Sequence, residues 1–132
     1  MKPLWRAARP GRLLLALLPV LALGCGGARP PEPADPDQAR EALRAALDAW
    51  RKGEPPDALK GRQPPIYVND ADWQAGHRLA GYELKGDGKY YGAQFRCSVV
   101  LSLELGKGKR SDKVVKYLID THPRVVIVRD DL

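Results

Sequence analysis

The first half of the chain carries a helical pattern of apolar positions. Between residues 39 and 50 they recur every three to four positions, as Ala39, Ala42, Leu43, Ala46, Leu47, Ala49 and Trp50. This spacing puts them on one face of an amphipathic helix. Asp35 before Pro36 is typical of a helix N-cap, and Gln38 completes a capping box. Gly53 suits the position after the last turn, so the pattern predicts a helix from residue 36 to about residue 52.

The second half follows the two-residue period of β-strands. Between residues 90 and 105, apolar side chains from Tyr91 to Leu105 alternate with mainly polar ones, which predicts a strand with one apolar face. At about 3.3 Å per residue this strand is too long for a small domain, so we expect it to bend at Gly92. Further strands are predicted over residues 78–85, 113–122 and 125–129, with a hairpin turn at residues 86–88 and a loop at residues 106–110.

These elements predict an α+β fold, in which one N-terminal helix packs on a curved antiparallel sheet of about four strands. Only one long amphipathic helix is available to cover the apolar face of the sheet, so Trp50 is expected between the helix and that face. The element order, together with the helix end at residues 47–55, resembles the NTF2-like and cystatin-like folds over residues 35–131. Residues 64–76 resemble small bacterial lipoproteins, and neither resemblance implies a catalytic motif.

The first 24 residues do not belong to this pattern. Four basic residues, Lys2, Arg6, Arg9 and Arg12, precede an apolar run over residues 13–23 that stops at Gly24 and Cys25. This layout is typical of a secretory signal peptide. The run is short for a membrane-spanning helix, which needs about 20 apolar residues, although a stop-transfer helix remains an alternative.

The end of this run resembles the lipobox of bacterial lipoproteins in the segment Leu21-Ala22-Leu23-Gly24-Cys25, although Ala22 and Leu23 stand in the less frequent order. The resemblance implies that residues 1–24 are removed and that Cys25 is acylated and holds the protein on a membrane. The alternative is an ordinary cysteine after an ordinary signal peptide. Residues 25–34, rich in Gly and Pro, are expected to form a tether, and residues 35–132 a single domain. The predicted location is the bacterial cell envelope, with the domain facing the periplasm or the exterior.

The net charge bears on nucleic-acid binding, and the cysteine count bears on disulfide formation. The net charge of +6 comes from 22 basic and 16 acidic residues, and four of the basic ones precede residue 25, so the mature chain carries only +2. A charge this small does not indicate a nucleic-acid partner. With Cys25 acylated, Cys97 has no partner for a disulfide, and its apolar neighbours in the strand predict that it is buried and free.

Candidate chemistry is sparse. Asn69, Asp70, Asp72 and His77 lie within one segment, but without the spacing of a calcium loop, and we expect Asp70 to cap a short helical turn that contains Trp73. His77 and His122 lack the paired spacing of zinc ligands, so the sequence predicts no metal and no cofactor. Lys107, Lys109 and Arg110 lack the spacing of a phosphate-binding loop and are expected at a solvated hairpin tip, where they would attract anionic lipid.

Two functions are compatible with these patterns. The favoured one is a non-enzymatic lipoprotein that binds an envelope protein or a small ligand. The alternative is a small enzyme with Asp120 or His122 as a general base inside a cone formed by the sheet and the helix. An open cone containing a buried carboxylate or histidine favours the enzyme, whereas a cone filled by Trp50, Phe95 and Leu101 favours the binding module.

Overall fold

The computed structural model of the chain describes residues 30–131. In chain order the elements are α1 (Pro36–Arg51), a 3₁₀ helix (Pro56–Gly61), β1 (Ile66–Asn69), α2 (Ala71–Gln74), β2 (Arg78–Tyr91), β3 (Gln94–Glu104), β4 (Arg110–Asp120) and β5 (Val125–Asp130). The α+β class is confirmed. The predicted signal peptide and Cys25 lie outside the described residues. Within the described part, no helix is long and apolar enough to cross a membrane.

The sheet has five strands in the order β1-β5-β4-β3-β2, and it is mixed. β1 runs parallel to β5, with Ile66 opposite Val125, whereas all other neighbours are antiparallel. The prediction of a purely antiparallel sheet of about four strands is therefore wrong. β1 has only four residues, too few for a two-residue period to stand out, and its partner lies almost 60 positions later in the sequence.

The predicted hairpin turn at residues 86–88 is also wrong. Lys85 pairs with Ser98 and Lys89 with Arg96, so residues 86–88 form an irregularity inside β2. The turn lies at Gly92, which has a φ of 65° and follows the last residue of β2. A glycine with positive φ at the first position of a two-residue turn is the type II′ arrangement. The segment predicted as one bent strand is therefore the second arm of a hairpin and its turn.

One glycine of that irregularity is required by packing. A Cβ atom on Gly88 would lie 2.5 Å from the ring of Phe95, and the φ of Gly88 is 86°. Both the conformation and the close approach need a residue without a side chain. Two glycines on either side of Asp87 are typical of a turn in sequence, but here they let a bulged strand lie against an aromatic ring.

The helix α1 and its N-cap are confirmed, and α1 covers one face of the sheet. The predicted capping box is not formed, because the N–H of Asp35 donates to Thr121 rather than to Gln38. Asp35 is its N-cap and accepts hydrogen bonds from the backbone N–H groups of Asp37 and Gln38, at 3.0 and 3.4 Å. All seven apolar positions predicted for its inner face are buried. Trp50, Phe95 and Leu101 are at most 3% exposed and belong to the hydrophobic core. We call the sheet face under α1 the inner face and the opposite one the outer face.

Cys97 is buried and free, as predicted. It lies on the inner face of β3 and is 3% exposed. Burial raises the pKa of its thiol, although Arg40 and Arg44 act in the opposite direction. Since the thiolate is the reactive form, this cysteine is a packing residue rather than a nucleophile.

The chain enters the domain at one end of the sheet. The N–H of Ala34 donates to the carbonyl of Ala93 in the β2–β3 turn, at 2.8 Å, and the hydroxyl of Tyr90 donates to the carbonyl of Ala34, also at 2.8 Å. The N–H of Asp35 donates to Oγ1 of Thr121, which follows β4. We call this the tether end. The distal end holds the last turn of α1, α2 and the β3–β4 loop, and the 16 residues of α1 span about 24 Å between the two ends.

Candidate functional site

A cleft of about 590 Å³ opens at the distal end of the domain. It lies between the last turn of α1, the segment 53–57 that follows it, and residues 73–78 at the end of α2 and the start of β2. A volume of this size is in the range of small-molecule sites. Two further pockets are smaller, at about 240 and 250 Å³, and the first of them lies beside α1, next to Ile66 and Val125.

Two stacked tryptophans form the floor of the cleft. The rings of Trp50 and Trp73 are 5.3 Å apart between centroids and 7° from parallel. The indole N–H of Trp50 donates to the carbonyl of His77 at 2.8 Å, and that of Trp73 donates to the carbonyl of Glu54 at 3.0 Å. Each indole therefore ties its own helix to the opposite wall, which makes the cleft a preformed one.

Trp50 is buried, as its place in the helical pattern predicts. The expectation that it packs against the inner face of the sheet omitted its main aromatic partner, Trp73 on α2. Two tryptophans 23 residues apart carry no pattern that links them. The pair depends on where α2 lies, which the local sequence does not determine.

The rim of the cleft is polar and carries both signs of charge. Glu54 and Asp57 lie on one side, and His77 and Arg78 on the other. Among the described residues that line the cleft there is no Ser, Thr, Cys or Tyr, so none supplies a hydroxyl or thiol nucleophile. An apolar floor with a charged rim is suited to holding an amphipathic ligand.

A buried polar network lies behind the cleft and fixes α2. Asp70 is 1% exposed, and its carboxylate accepts hydrogen bonds from the backbone N–H groups of Asp72 and Trp73, at 2.9 and 3.2 Å. It also accepts from Nη1 of Arg129 at 2.9 Å and from the hydroxyl of Tyr117. The predicted role of Asp70 as the cap of a short helical turn is confirmed. The same carboxylate also connects that turn to β4 and β5.

Asp72 is the second carboxylate of the network. It accepts hydrogen bonds from Arg129 and from Nζ of Lys113, the latter at 3.0 Å, and its Oδ1 lies 3.0 Å from Nδ1 of His77. Burial by itself would raise the pKa of Asp72, but the bonds from Arg129, Lys113 and His77 outweigh it and hold that pKa below the ordinary 3.8. Asp72 is therefore an anion in the folded protein at neutral pH.

Burial and the neighbouring carboxylates also shift the pKa values of Tyr117 and Arg129. Burial raises the pKa of Tyr117, and the charge of Asp70 raises it further, so its hydroxyl keeps its proton and acts as a donor. Burial would lower the pKa of Arg129, but the bond to Asp72 and the charge of Asp70 outweigh this and raise it. The network thus centres on Arg129, which donates to the carboxylates of Asp70, Asp72 and Asp131. Lys113 is a second cation on Asp72, and the neutral phenol of Tyr117 donates to Asp70.

Of the four residues considered as cation ligands, Asp70, Asp72 and His77 lie close together. Asp70 and Asp72 bind the guanidinium of Arg129, and His77 contacts Asp72. The side chain of Asn69 is not part of this group and accepts a hydrogen bond from Gln74. Among residues 30–131, no group of three or more His, Cys, Asp or Glu side chains is placed to hold a metal ion.

The other residues singled out in the sequence lie away from the cleft. Asp120 accepts a hydrogen bond from Gln94, and Nδ1 of His122 lies 3.5 Å from a carboxylate oxygen of Glu32. Both are at the tether end, outside the space between helix and sheet. Lys107 and Lys109 are exposed in the β3–β4 loop, as expected.

Arg129 and Tyr117 are the site residues that sequence reasoning missed. A signal for Arg129 exists, because it continues the inward positions of Val125 and Ile127 in β5. An arginine at a buried position of a strand requires a buried anion. The sequence did not show which carboxylate supplies it, because Asp70 lies 59 positions earlier.

Comparison of the chain with protein-family models, with curated proteins and with solved structures finds no match.

Proposed function

We propose that the protein is a lipid-anchored lipoprotein of the bacterial cell envelope, and that its domain is a non-enzymatic module that binds a ligand in the distal cleft. One observation carries the proposal. The chain enters the domain at the tether end, nine residues after Cys25, and the cleft opens at the opposite end, about 24 Å away along α1. A protein held at Cys25 would present this cleft to partners away from the membrane.

The chemistry of the cleft supports binding rather than turnover. Its floor is a rigid aromatic pair whose polar atoms are already bonded, and its rim offers carboxylates on one side and cationic or imidazole groups on the other. This arrangement fits an apolar or aromatic group flanked by charged groups. A short peptide segment of an envelope protein or a small amphipathic molecule has that character.

An enzyme is the second candidate, and one observation favours it. His77 lines the cleft, and its ring contacts Asp72, which is held as an anion. A carboxylate at Nδ1 of a histidine orients the ring and leaves Nε2 available as a base. If the protein is an enzyme, His77→Gln abolishes turnover while ligand binding is kept. If it is a binding module, the same change alters only affinity.

Acylation is tested at Cys25. In cells fed an alkyne-labelled fatty acid, the wild-type chain should take up label and sediment with membranes. Cys25→Ser removes the sulfur that carries the lipid, so label should be lost and any processed protein should be found in the soluble fraction. Cys97→Ser is the matched control, because this buried cysteine is not available to the acylating enzymes. Label retained in the Cys25→Ser variant contradicts the proposal.

Ligand binding is tested by photo-crosslinking in intact cells. A photoreactive phenylalanine replaces either Asp57 or Gln74 on the cleft rim, and a control chain carries it at Arg44, which is exposed on α1. We expect a discrete adduct from both rim positions and none from the control. No adduct from the rim, or the same adduct from all three positions, is evidence against a ligand in the cleft.

A further inference from the structure

The outer face of the sheet carries a basic pocket of about 250 Å³. Cross-strand neighbours lie on the same face, and the register places Lys89 opposite Arg96 and Lys85 opposite Ser98, with Lys116 on the other side of Ser98. These five residues and Gly88 line the pocket. None of the described residues that line it is acidic. Four cationic side chains thus converge around one hydroxyl.

Arg96 at the centre of this pocket is held in place. It donates to Asp130 at 2.8 Å, and its guanidinium lies 4.2 Å from the ring centroid of Tyr91. Its Nε is buried without a hydrogen-bond partner among the described residues. The contacts with Asp130 and Tyr91 hold the guanidinium in place. Nζ of Lys85 lies 3.5 Å from a carboxylate oxygen of Glu83, and Lys116 is the cross-strand neighbour of Asp130, so the cations of the pocket outnumber the carboxylates beside it by four to two. Arginine and lysine together in this way are typical of sites for phosphate groups.

The pocket lies towards the tether end. The pair of Lys89 and Arg96 is two positions from the pair that flanks the β2–β3 turn, and Ala34 is bonded to that turn. Cys25 lies nine residues before Ala34, a length of chain that spans at most about 32 Å when extended. An anchor at Cys25 therefore keeps the pocket within reach of the membrane surface.

The turn itself has the side chains of a membrane interface. Tyr90 and Tyr91 are 50% and 54% exposed, whereas Trp50, Trp73, Phe95 and Tyr117 are buried. Exposed tyrosines next to basic residues are frequent at the level of lipid headgroups. The β3–β4 loop with Lys107 and Lys109 lies at the other end of the 11-residue strand β3, about 35 Å from the turn.

We propose that the pocket formed by Lys85, Lys89, Arg96, Ser98 and Lys116 binds the phosphate group of anionic phospholipid headgroups. This binding holds the outer face and the β2–β3 turn against the membrane and leaves the distal cleft exposed. The proposal rests on membrane anchoring at Cys25, because the anchor supplies the proximity. The loop that the sequence indicates for lipid contact, residues 106–110, is on this proposal directed away from the membrane.

The test uses the mature chain with Cys25→Ser, which carries no lipid and keeps the whole compact unit that starts at Pro31. Its binding is measured by co-sedimentation with vesicles of phosphatidylcholine alone and of phosphatidylcholine with 30% phosphatidylglycerol. We expect binding only to the anionic vesicles, and we expect it to weaken as salt is raised. Each lysine near an anionic surface accounts for about fivefold in affinity, so Lys89→Gln with Lys116→Gln should weaken binding about 25-fold.

The matched control is Lys107→Gln with Lys109→Gln, which removes the same charge at the opposite end of the domain. We expect less than a twofold loss from it. Equal losses from the two pairs, a larger loss from the control pair, or no binding by the unaltered chain each overturn the proposal. Competition by millimolar inorganic phosphate with no preference for anionic vesicles also overturns it, because it identifies a site for the free anion. Since this chain has no lipid, these results are independent of whether Cys25 is acylated.

Discussion

Replacing Arg129 with Met should lower the free energy of unfolding by about 3–5 kcal/mol. The side chain of Arg129 is 4% exposed and lies between the carboxylates of Asp70 and Asp72, which are 1% and 12% exposed. Without the arginine, the buried carboxylate of Asp70 keeps the hydroxyl of Tyr117 as its side-chain donor, and Asp72 keeps Lys113 and His77. Removing one partner from a buried network lowers the free energy of unfolding far more than the loss of an exposed ion pair does.

The measurement is urea unfolding of the chain with Cys25→Ser, followed by circular dichroism. Arg110→Met is the control, because Arg110 is exposed and should shift stability by less than about 0.5 kcal/mol. Adding Asp70→Asn to Arg129→Met should recover part of the loss, because Asp70 is the more deeply buried of the two carboxylates and its charge is then removed. Equal effects of Arg129→Met and Arg110→Met contradict the network.

The same comparison has a defined pH dependence. The folded-state pKa of Asp72 is below its ordinary 3.8, so the stabilisation from its ion pairs is present above that pH and is lost as the pH falls below it. Arg129→Met removes the main cause of this depression. The difference in stability between the wild type and Arg129→Met should therefore shrink as the pH is lowered from 7 to below 3.8. A difference that does not depend on pH indicates that Arg129 acts through packing alone.

Trp50→Ala should have an effect of similar size, about 3–5 kcal/mol. Trp50 is 3% exposed, stacks on Trp73 and donates to the carbonyl of His77. The substitution removes a large apolar side chain, leaves a cavity under the cleft and frees one wall of it. A domain of this size has about 5–15 kcal/mol of total stability, so a large part of it is lost.

Two measurements separate this role from a general effect on the helix. Urea unfolding of Trp50→Ala is compared with that of Arg44→Ala, which changes an exposed position of the same helix and should be nearly neutral. A test chain that starts at residue 25 contains Trp50 and Trp73 and excludes the third tryptophan, Trp5. The exciton coupling between the two stacked indoles, measured by circular dichroism, should therefore disappear in Trp50→Phe, a milder substitution that keeps an aromatic ring at this position. An unchanged spectrum contradicts the stacking.

The local elements of the domain could be predicted from residues that are close together in the chain. The spacing of Leu43, Leu47 and Trp50, with Asp35 as cap, predicted α1 and its buried face. The alternation around Cys97 predicted β3 and the burial of that thiol. These inferences hold because helix periodicity, capping and strand alternation depend on residues that are neighbours in the chain, and because apolar side chains at one parity have to leave water.

Only the tertiary structure decided which distant segments meet. β1 pairs with β5, Trp50 meets Trp73, and Arg129 lies between Asp70 and Asp72, although a large number of residues separates the members of each set. The glycines around Asp87 resembled a turn, yet the packing of Gly88 on Phe95 made them part of a strand, because tertiary contacts outweigh local turn preference. Distant segments pair in the arrangement that buries the apolar faces and also gives the buried charges their partners. That arrangement depends on the whole fold. The tether end and the distal cleft lie at opposite ends of the domain for the same reason.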